Sequence, residues 1–311
     1  AVGSAVRGMR PKRVRRRVDG VLMLDKPAGI TSQTAVTRVK RLYNAAKAGH
    51  TGTLDPLATG LLPVCLGDAT KFAHDLLDAD KRYQARVRFG VRTSTGDIEG
   101  EVIETRECAV RESDLASVLQ RFTGPILQTP PMYSALKKDG RPLYEYARSG
   151  ETVERVPRNI VIRSIRLLGF SGTEADIDVS CSKGTYIRVL AEDIGDALGC
   201  GATLSGLRRT GVGGHGIEEA ITLDELESMD LPGRDSRLKP SDILVGNLPD
   251  AHIDGNEKER FLHGQSVPDG GKWPDWSGLV RVYGPGAVFL GLGEAAAGRI
   301  SPRKLLAIPS S

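Results

Sequence analysis

The sequence predicts an α+β fold in which helices surround a mixed, largely antiparallel sheet. Residues 83–89 alternate between apolar and polar side chains, which is typical of a strand with one buried face. Residues 159–182 have the pattern of two strands that meet in a turn at Gly172. After Gly184, apolar residues recur with helical spacing, at Ile187, Leu190, Ile194 and Leu198. Neighbouring strands together with amphipathic helices are typical of this fold class.

Further elements are predicted before these segments. The apolar run at 21–24 predicts a short buried strand, and residues 61–66 predict another. A helix is expected over residues 32–43, with Ser32 as its N-cap. A second helical pattern covers residues 69–77, and the glycine- and threonine-rich segment between the two helices is expected to contain a loop.

Two domains are expected after the basic N-terminus. A main domain is predicted over residues 19–245, and a small β-rich domain over residues 246–311. The composition turns polar around residues 231–239, which marks a candidate boundary. Short strands with many glycines follow, at residues 279–282 and 288–292.

Residues 124–158 follow a predicted helix at 112–122 and lack sustained periodicity. This segment contains several prolines and glycines, and its basic residues are Lys137, Lys138, Arg141, Arg148, Arg155 and Arg158. A loop of this length in a compact domain is usually functional or disordered. We expect an insertion that contacts the substrate, and a solvated surface loop is the alternative.

Residues 1–18 form a basic arm that contains no acidic residue. Its cations are Arg7, Arg10, Lys12, Arg13, Arg15, Arg16 and Arg17. Such a segment buries too little apolar area to fold alone, so we expect it to be flexible when unbound. It is either a solubilising tail or an arm that neutralises phosphates.

The composition argues against several classes of protein. Hydrophobic residues make up 40% and charged residues 26%, which is ordinary for a soluble globular protein. The net charge of +4 permits a nucleic-acid partner without requiring one. The four cysteines form no C-x-x-C pair, which argues against a zinc site and against a disulfide scaffold. No uncharged run reaches the length of about 18 residues that a membrane span needs. We therefore expect a cytoplasmic protein.

The densest chemical signal is the segment 49–60, which reads GHTGTLDPLATG. Its glycines allow the backbone to approach a ligand closely, and Pro56 keeps Asp55 extended. An aspartate before a proline is by itself usually a turn residue. Because His50 and Asp55 share one glycine-punctuated loop, the segment favours a catalytic function over that interpretation.

This segment resembles the signature loop of the TruB-type pseudouridine synthases, whose pattern is G-H-x-G-x-L-D-P-x-A-x-G. Further matches follow in the order of that family. They are Lys26-Pro27-Ala28-Gly29, Lys81-Arg82-Tyr83, Met132-Tyr133-Ser134-Ala135-Leu136-Lys137, Gly184-Thr185-Tyr186-Ile187-Arg188 and Leu207-Arg208-Arg209-Thr210. The similarity covers roughly residues 20–245 and continues more weakly beyond, and the ordered set of motifs is highly specific.

The resemblance implies a catalytic set of Asp55, Tyr83 and Arg188. Asp55 would be the nucleophile, since carboxylates are able to attack carbon. Arg188 would orient the carboxylate and keep it charged. Tyr83 would stack on the target uracil, and stacking one base is worth about 1–3 kcal/mol. Attack at the sugar C1′, attack at the base and support of elimination all remain open at this point.

The resemblance also implies a set of substrate- and RNA-binding residues. They are His50, Tyr186, Leu207, Arg208, Arg209, Lys26, Lys137 and Arg141. Among these, His50 would lie against flipped nucleotides, Leu207 would line the base pocket and Lys26 would brace the catalytic sheet. Flipping a stacked uridine costs a few kcal/mol, which phosphate contacts from the basic residues would offset.

By the same resemblance, the substrate is one uridine in the T-arm of tRNA, and the C-terminal domain is a PUA-like RNA-binding domain. No metal, cofactor or protein partner is expected, and the acting unit is expected to be a monomer. The sequence contains no P-loop and no complete dinucleotide fingerprint. One alternative is a non-catalytic tRNA-binding or tRNA-folding chaperone on the same scaffold, although the intact catalytic set argues against that as its sole role. Another alternative is a carboxylate hydrolase such as a nucleosidase, which would release a free base.

Overall fold

The computed structural model describes residues 14–307. The strands of the main domain are β1 (Gly20–Lys26), β2 (Ala48–His50), β3 (Thr59–Leu66), β4 (Lys81–Phe89), β5 (Val91–Thr93), β6 (Val102–Thr105), β7 (Gly124–Gln128), β8 (Lys137–Lys138), β9 (Arg141–Pro142), β10 (Arg158–Phe170), β11 (Glu174–Cys181), β12 (Ala202–Val212), β13 (His215–Gly216) and β14 (Ile221–Thr222). Its helices are α1 (Ser32–Leu42), α2 (Ala73–Asp78), α3 (Glu112–Arg121), α4 (Leu143–Arg148), α5 (Ile187–Ala197), α6 (Leu223–Ser228) and α7 (Leu231–Asp235). Short 3₁₀ helices span Gly67–Phe72, Ile217–Glu219 and Ser241–Val245.

A ten-stranded sheet forms the centre of the main domain. Its strand order is β14-β1-β3-β12-β4-β11-β10-β7, with β2 paired to β3 and β13 paired to β12. The β1–β14 and β12–β3 pairs are parallel, and the other pairs in this sheet are antiparallel. The predicted fold class, a mixed and largely antiparallel sheet with surrounding helices, is confirmed.

The main hydrophobic core lies between this sheet and the helices α1, α3 and α5. Along β4, the buried positions alternate with exposed positions such as Gln84, Arg86 and Arg88. The period of two that predicted this strand therefore separates a face packed on helices from a face open to solvent. A second cluster, which includes Phe72 and Leu76, packs on the β1 and β3 residues that point away from the main core.

The start of α1 differs from the prediction. Thr31, not Ser32, caps the helix, because its hydroxyl accepts a hydrogen bond from the backbone N–H of Thr34 at 3.0 Å. Ser32 is 2% exposed and bonds instead to Leu54. The predicted helix at 69–77 is also divided, since a 3₁₀ helix ends at Phe72 before α2 begins.

The predicted insertion at 124–158 contains more regular structure than its sequence indicated. Its first five residues are strand β7, which pairs with β10 at the edge of the main sheet. Beyond β7, the chain forms the β8–β9 hairpin and helix α4. The irregular part of the segment is therefore shorter than predicted.

The end of the predicted flexible arm is attached to the body of the protein. Arg16 forms an ion pair with Asp235 and donates from Nε to the carbonyl of Tyr43 at 2.8 Å. Its backbone N–H donates to the carbonyl of Asn44 at 3.0 Å. The ion pair and hydrogen bonds of Arg16 therefore hold residues 14–18 in place, although these residues have little apolar surface to bury. Residues 1–13 lie outside the described part of the chain.

The C-terminal domain contains β15 (Asp250–His252), α8 (Gly255–Leu262), β16 (Val267–Pro268), β17 (Gly278–Gly284), β18 (Val288–Ala296) and β19 (Arg299–Leu305), with a 3₁₀ helix at Pro285–Ala287. Its five strands are ordered β15-β17-β18-β19-β16, which confirms a small β-rich domain. The domain packs on the second cluster of the main domain, where the Phe72 and Phe289 rings meet edge-on with centroids 5.4 Å apart. No helix within residues 14–307 is long and apolar enough to cross a membrane.

Candidate active site

The Asp55 loop connects β2 to β3, and its backbone is held by hydrogen bonds from outside and within the loop. Arg209 donates to the carbonyls of Gly52 at 3.2 Å and Thr53 at 3.4 Å. The Ser32 hydroxyl donates to the carbonyl of Leu54 at 3.0 Å. The backbone N–H groups of Ala58 and Gly29 donate to the carbonyls of Asp55 and Pro56 at 3.0 and 2.8 Å. Every carbonyl from residue 52 to residue 56 therefore has a donor, which fixes the position of Asp55.

Asp55 and Arg188 form an ion pair, as the sequence predicted. Arg188 Nε lies 3.0 Å from a carboxylate oxygen of Asp55. The side chain of Asp55 is 40% exposed, whereas that of Arg188 is 6% exposed. The carboxylate is therefore open to a substrate on one side and held by a buried cation on the other.

The remaining guanidinium nitrogens of Arg188 bind backbone carbonyls. Nη1 donates to Thr95 at 2.9 Å and Nη2 donates to Tyr133 at 2.7 Å. These bonds connect α5 to the turn after β5 and to the beginning of the insertion. Because three directions of the planar guanidinium are occupied, its orientation toward Asp55 is fixed.

Asp97 is a site residue that the sequence interpretation missed. Its carboxylate lies 3.8 Å from Arg188 Nε, and its side chain is 6% exposed. It accepts hydrogen bonds from the Thr95 hydroxyl at 2.7 Å and from the backbone N–H of Glu99 at 3.0 Å. In the sequence, Asp97 follows a glycine in a short polar run, a context that indicates an ordinary turn.

Tyr83 lies on β4 and is 9% exposed, within the main core beside Arg209. Burial raises the pKa of the Tyr83 hydroxyl, and the Arg209 guanidinium opposes that shift. The hydroxyl is therefore protonated at neutral pH. The ring is an apolar surface with a polar end close to the Asp55 loop.

His50 ends β2 and introduces the Asp55 loop. Burial lowers the pKa of its imidazole, so the ring is neutral at neutral pH. Its Nδ1 atom and the hydroxyl of Thr51 are buried, and neither has a hydrogen-bond partner within residues 14–307. Buried polar atoms without partners are uncommon in folded proteins. The described part of the fold therefore leaves hydrogen-bonding capacity unused at these two atoms.

A cleft of about 520 Å³ opens beside the Asp55 loop on the solvent face of the sheet. Leu57 and Thr59 line it from the end of the loop, and Arg86 lines it from β4. Leu207 and Arg208 line it from β12. The structure thus brings Leu207, a predicted base-pocket residue, to the wall of a cleft that the end of the Asp55 loop borders.

Comparisons with known proteins identify the family. The TruB family pseudouridylate synthase N-terminal domain matches residues 40–187, the tRNA pseudouridylate synthase B C-terminal domain matches residues 188–245, and the C-terminal domain of pseudouridine synthase II TruB matches residues 249–306. The Burkholderia mallei (strain ATCC 23344) protein named tRNA pseudouridine synthase B is 52% identical over 305 residues, covering 96% of this chain and 97% of that protein. The Chromobacterium violaceum protein of the same name is 54% identical over 300 residues, covering 96% of this chain and 98% of that protein. The chain belongs to the TruB family of pseudouridylate synthases.

Solved structures resemble this TruB-family chain as well. The crystal structure of a Cbf5-Nop10-Gar1 complex contains a chain with a TM-score of 0.67 and 29% identity, covering 93% of this chain and 84% of that one. The structure of an H/ACA RNP bound to a substrate RNA containing 2′-deoxyuridine contains one with a TM-score of 0.69 and 27% identity, covering 93% and 85%. Pseudouridine synthases are isomerases, so this chain is an isomerase.

Two of the residues predicted to bind RNA, Arg209 and Lys26, are buried in this TruB-family chain. Arg209 is 1% exposed and donates to the carbonyl of Leu61 at 2.8 Å, in addition to the two loop carbonyls. Lys26 is 0% exposed and donates to the carbonyls of Pro27 and Ile30, each at 2.8 Å. The prediction that Arg209 contacts phosphate is wrong, because its donors are used inside the fold. The predicted bracing function of Lys26 agrees with its bonds, but an RNA contact does not.

The other predicted RNA-binding residues of the TruB-family chain occupy different surroundings. Arg208 is partly exposed at the cleft and pairs with Asp25 at 2.7 Å. Lys137 is exposed on the β8–β9 hairpin, where Arg141 pairs with Glu151 at 3.2 Å. Tyr186 is half-buried before α5, and burial raises the pKa of its hydroxyl.

Among residues 14–307, no cluster of histidine, cysteine and acidic side chains is arranged to hold a metal ion.

Proposed function

We propose that this chain isomerises one uridine in the T-arm (TΨC loop) of tRNA, position 55 in tRNA numbering, to pseudouridine, with Asp55 as the nucleophile. The relatives named tRNA pseudouridine synthase B support tRNA as the substrate. The observation that carries the proposal is the partly exposed Asp55 carboxylate, which buried Arg188 holds in a loop whose end lines an open cleft. We take the acting unit to be a cytoplasmic monomer that needs no cofactor.

The chemistry of the reaction needs a nucleophile and proton transfer, but no change in oxidation state. The N1–C1′ bond of the uridine breaks and a C5–C1′ bond forms. N1 gains a proton and C5 loses one. A carboxylate that attacks the nucleotide carries the intermediate between these bonds as a covalent adduct. Arg188 orients the Asp55 carboxylate, since two backbone carbonyls fix the guanidinium.

Tyr83 and Leu207 supply the apolar surfaces for the target base in this proposal. The Tyr83 ring stacks on the uracil, and its protonated hydroxyl is available for hydrogen bonding. Leu207, which packs on the main core and reaches the cleft, provides a second apolar surface. A base that leaves its stack in the T-arm thus exchanges one stacking partner for another, which lowers the cost of flipping.

In this proposal, polar and basic side chains at and beyond the cleft bind the rest of the RNA. Half-buried His50, at the end of β2, contacts the displaced nucleotides in this proposal. Arg208 is partly exposed and Lys137 is exposed, and both cations suit phosphates. Arg141 joins them from the same hairpin as Lys137.

The proposal is tested by mapping pseudouridine at single-nucleotide resolution in an unmodified tRNA transcript incubated with the protein. Asp55→Asn removes the nucleophile, and Asp114→Asn, at an exposed aspartate on α3, is the matched control. Pseudouridine at the T-arm uridine with the wild type and Asp114→Asn, but not with Asp55→Asn, supports the proposal. Tight tRNA binding without any modification by the wild type contradicts it and favours the chaperone alternative. Release of free uracil favours the hydrolase alternative.

A further inference from the structure

Ser32 binds both backbone polar groups of the residue that precedes Asp55. Its hydroxyl accepts a hydrogen bond from the N–H of Leu54 at 2.8 Å and donates to the carbonyl of Leu54 at 3.0 Å. Ser32 is 2% exposed and Leu54 is 3% exposed, so water has little access to replace these bonds. Thr31 already caps α1, and the Ser32 hydroxyl is therefore not needed to start the helix.

Gln128 binds the residue that precedes α5 in the same way. Its side-chain oxygen accepts from the backbone N–H of Tyr186 at 2.8 Å, and its side-chain nitrogen donates to the carbonyl of Tyr186 at 3.1 Å. Gln128 is 3% exposed at the end of β7. Tyr186 is the N-cap of α5 and provides no capping bond of its own. Arg188 follows two residues later, in the first turn of the helix.

We propose that Ser32 and Gln128 are positioning residues, each of which fixes one partner of the Asp55–Arg188 pair through the neighbouring backbone. The inference rests on the proposed function. Asp55 and Arg188 belong to segments that are distant in sequence, and their 3.0 Å contact requires both backbones to be placed accurately. A displacement of about 1 Å in an active site is able to lower a rate by about 100-fold.

The neutral character of both side chains suits this position. A hydroxyl and a primary amide each provide a donor and an acceptor, so each satisfies an N–H and a C=O of the same residue. A lysine or a carboxylate at either position would satisfy only one of these groups and would add a charge close to the ion pair. Ser32 and Gln128 therefore fix the backbone without changing the electrostatics of Asp55.

The test compares Ser32→Ala and Gln128→Leu with the wild-type protein. The rate of pseudouridine formation is measured in a single turnover with enzyme in excess over tRNA, together with tRNA affinity and the unfolding temperature. We expect both rates to fall by about 10- to 100-fold while affinity changes by less than about threefold. The matched control is Ser241→Ala, at a buried serine that lies outside the Asp55 loop and α5.

A second pair of variants separates positioning from folding. Ser32→Thr keeps the hydroxyl and Ser32→Val has nearly the same shape without it, so a general packing effect would influence both similarly. We expect Ser32→Thr to be markedly faster than Ser32→Val. Equal rates for these two variants, or wild-type rates for folded Ser32→Ala and Gln128→Leu, would overturn the inference. A wild-type protein that forms no pseudouridine would instead show that the proposed function itself has failed.

Discussion

Arg188 Nε lies 3.0 Å from the Asp55 carboxylate, and the same guanidinium donates to the carbonyls of Thr95 and Tyr133. The cation is therefore part of the fold and part of the site at once. Its two carbonyl bonds leave one edge for Asp55, and the buried Asp97 carboxylate balances its charge from 3.8 Å. This arrangement depends on the planar shape of the guanidinium more than on its charge alone.

Arg188→Lys tests that dependence on shape. A lysine ammonium keeps the charge, but it lacks the fixed fork that reaches Asp55, Thr95 and Tyr133 together. We expect the single-turnover rate to fall by about 100- to 1000-fold, as when one preorganised donor is removed from an active site. Affinity for tRNA should change little, since Arg188 is buried. Arg111→Lys, at an exposed ion pair, is the control. A reduction of less than tenfold for Arg188→Lys would contradict the assignment.

Arg208 and Arg209 are adjacent in sequence, yet their substitution should have opposite consequences. Arg209→Met removes the donors for three carbonyls, at Gly52, Thr53 and Leu61, and we expect it to lower the free energy of unfolding by about 2–4 kcal/mol. Arg208→Met breaks a partly exposed pair with Asp25, which should cost less than about 1 kcal/mol. Urea unfolding measures both values, and filter binding measures tRNA affinity. Equal decreases in stability would refute the distinction.

The difference between these two arginines shows what the sequence was able to predict. The Leu207-Arg208-Arg209-Thr210 motif led to the same prediction, RNA binding, for both arginines. Only the pairing of β12 with β3 and β4 shows that Arg209 points into the core while Arg208 faces the cleft. The contact between Asp55 and Arg188 was predictable because their motifs are specific. The proximity of Asp97 to Arg188 became visible only after the turn beyond β5 was placed against α5.

Ser32 and Gln128 illustrate a second limit of the sequence. A serine before an amphipathic pattern indicates an N-cap, and nothing local shows that Thr31 serves as the cap instead. Gln128 lies at the start of a segment without periodicity, so neither its strand nor its contact with Tyr186 was predictable. In both cases the decisive partner is distant in sequence, and tertiary contacts determine what the side chain does.

Lys26 should give the protein a measurable pH dependence of stability. Burial lowers the pKa of Lys26 from 10.5 to about 8, although the Asp55 carboxylate opposes the shift. Between these two pH values, the unfolded chain binds a proton at Lys26 that the folded chain has released, so this residue adds stability as the pH rises. Lys26→Met lacks that contribution. The unfolding free energy of the wild type minus that of Lys26→Met should therefore become more positive from about pH 7 to about pH 10.

Urea unfolding of both proteins across this range measures that difference. Other buried groups also titrate here. Cys65, whose pKa burial raises to about 12, shifts stability in the opposite direction, and Lys81, whose pKa burial lowers to about 8, shifts it in the same direction. Their contributions are common to both proteins and cancel in the comparison. If the wild-type value minus the variant value stays constant or becomes less positive as the pH rises, Lys26 remains charged in the folded protein over this range.

Removal of residues 1–13 tests whether the basic arm binds phosphates. The deletion takes away Arg7, Arg10, Lys12 and Arg13 but keeps Arg16, whose bonds to Asp235 and Tyr43 attach the chain to the main domain. If the arm binds RNA, affinity for tRNA should fall, and the slope of log affinity against log salt should decrease by about 0.9 for each duplex phosphate that the arm no longer neutralises. The single-turnover rate at saturating enzyme should be unchanged, because the deletion removes no residue of the Asp55 site.

A full-length variant with glutamine at the four basic positions should behave like the deletion if charge is the cause. An unchanged salt slope in both proteins would make the arm a solubilising tail.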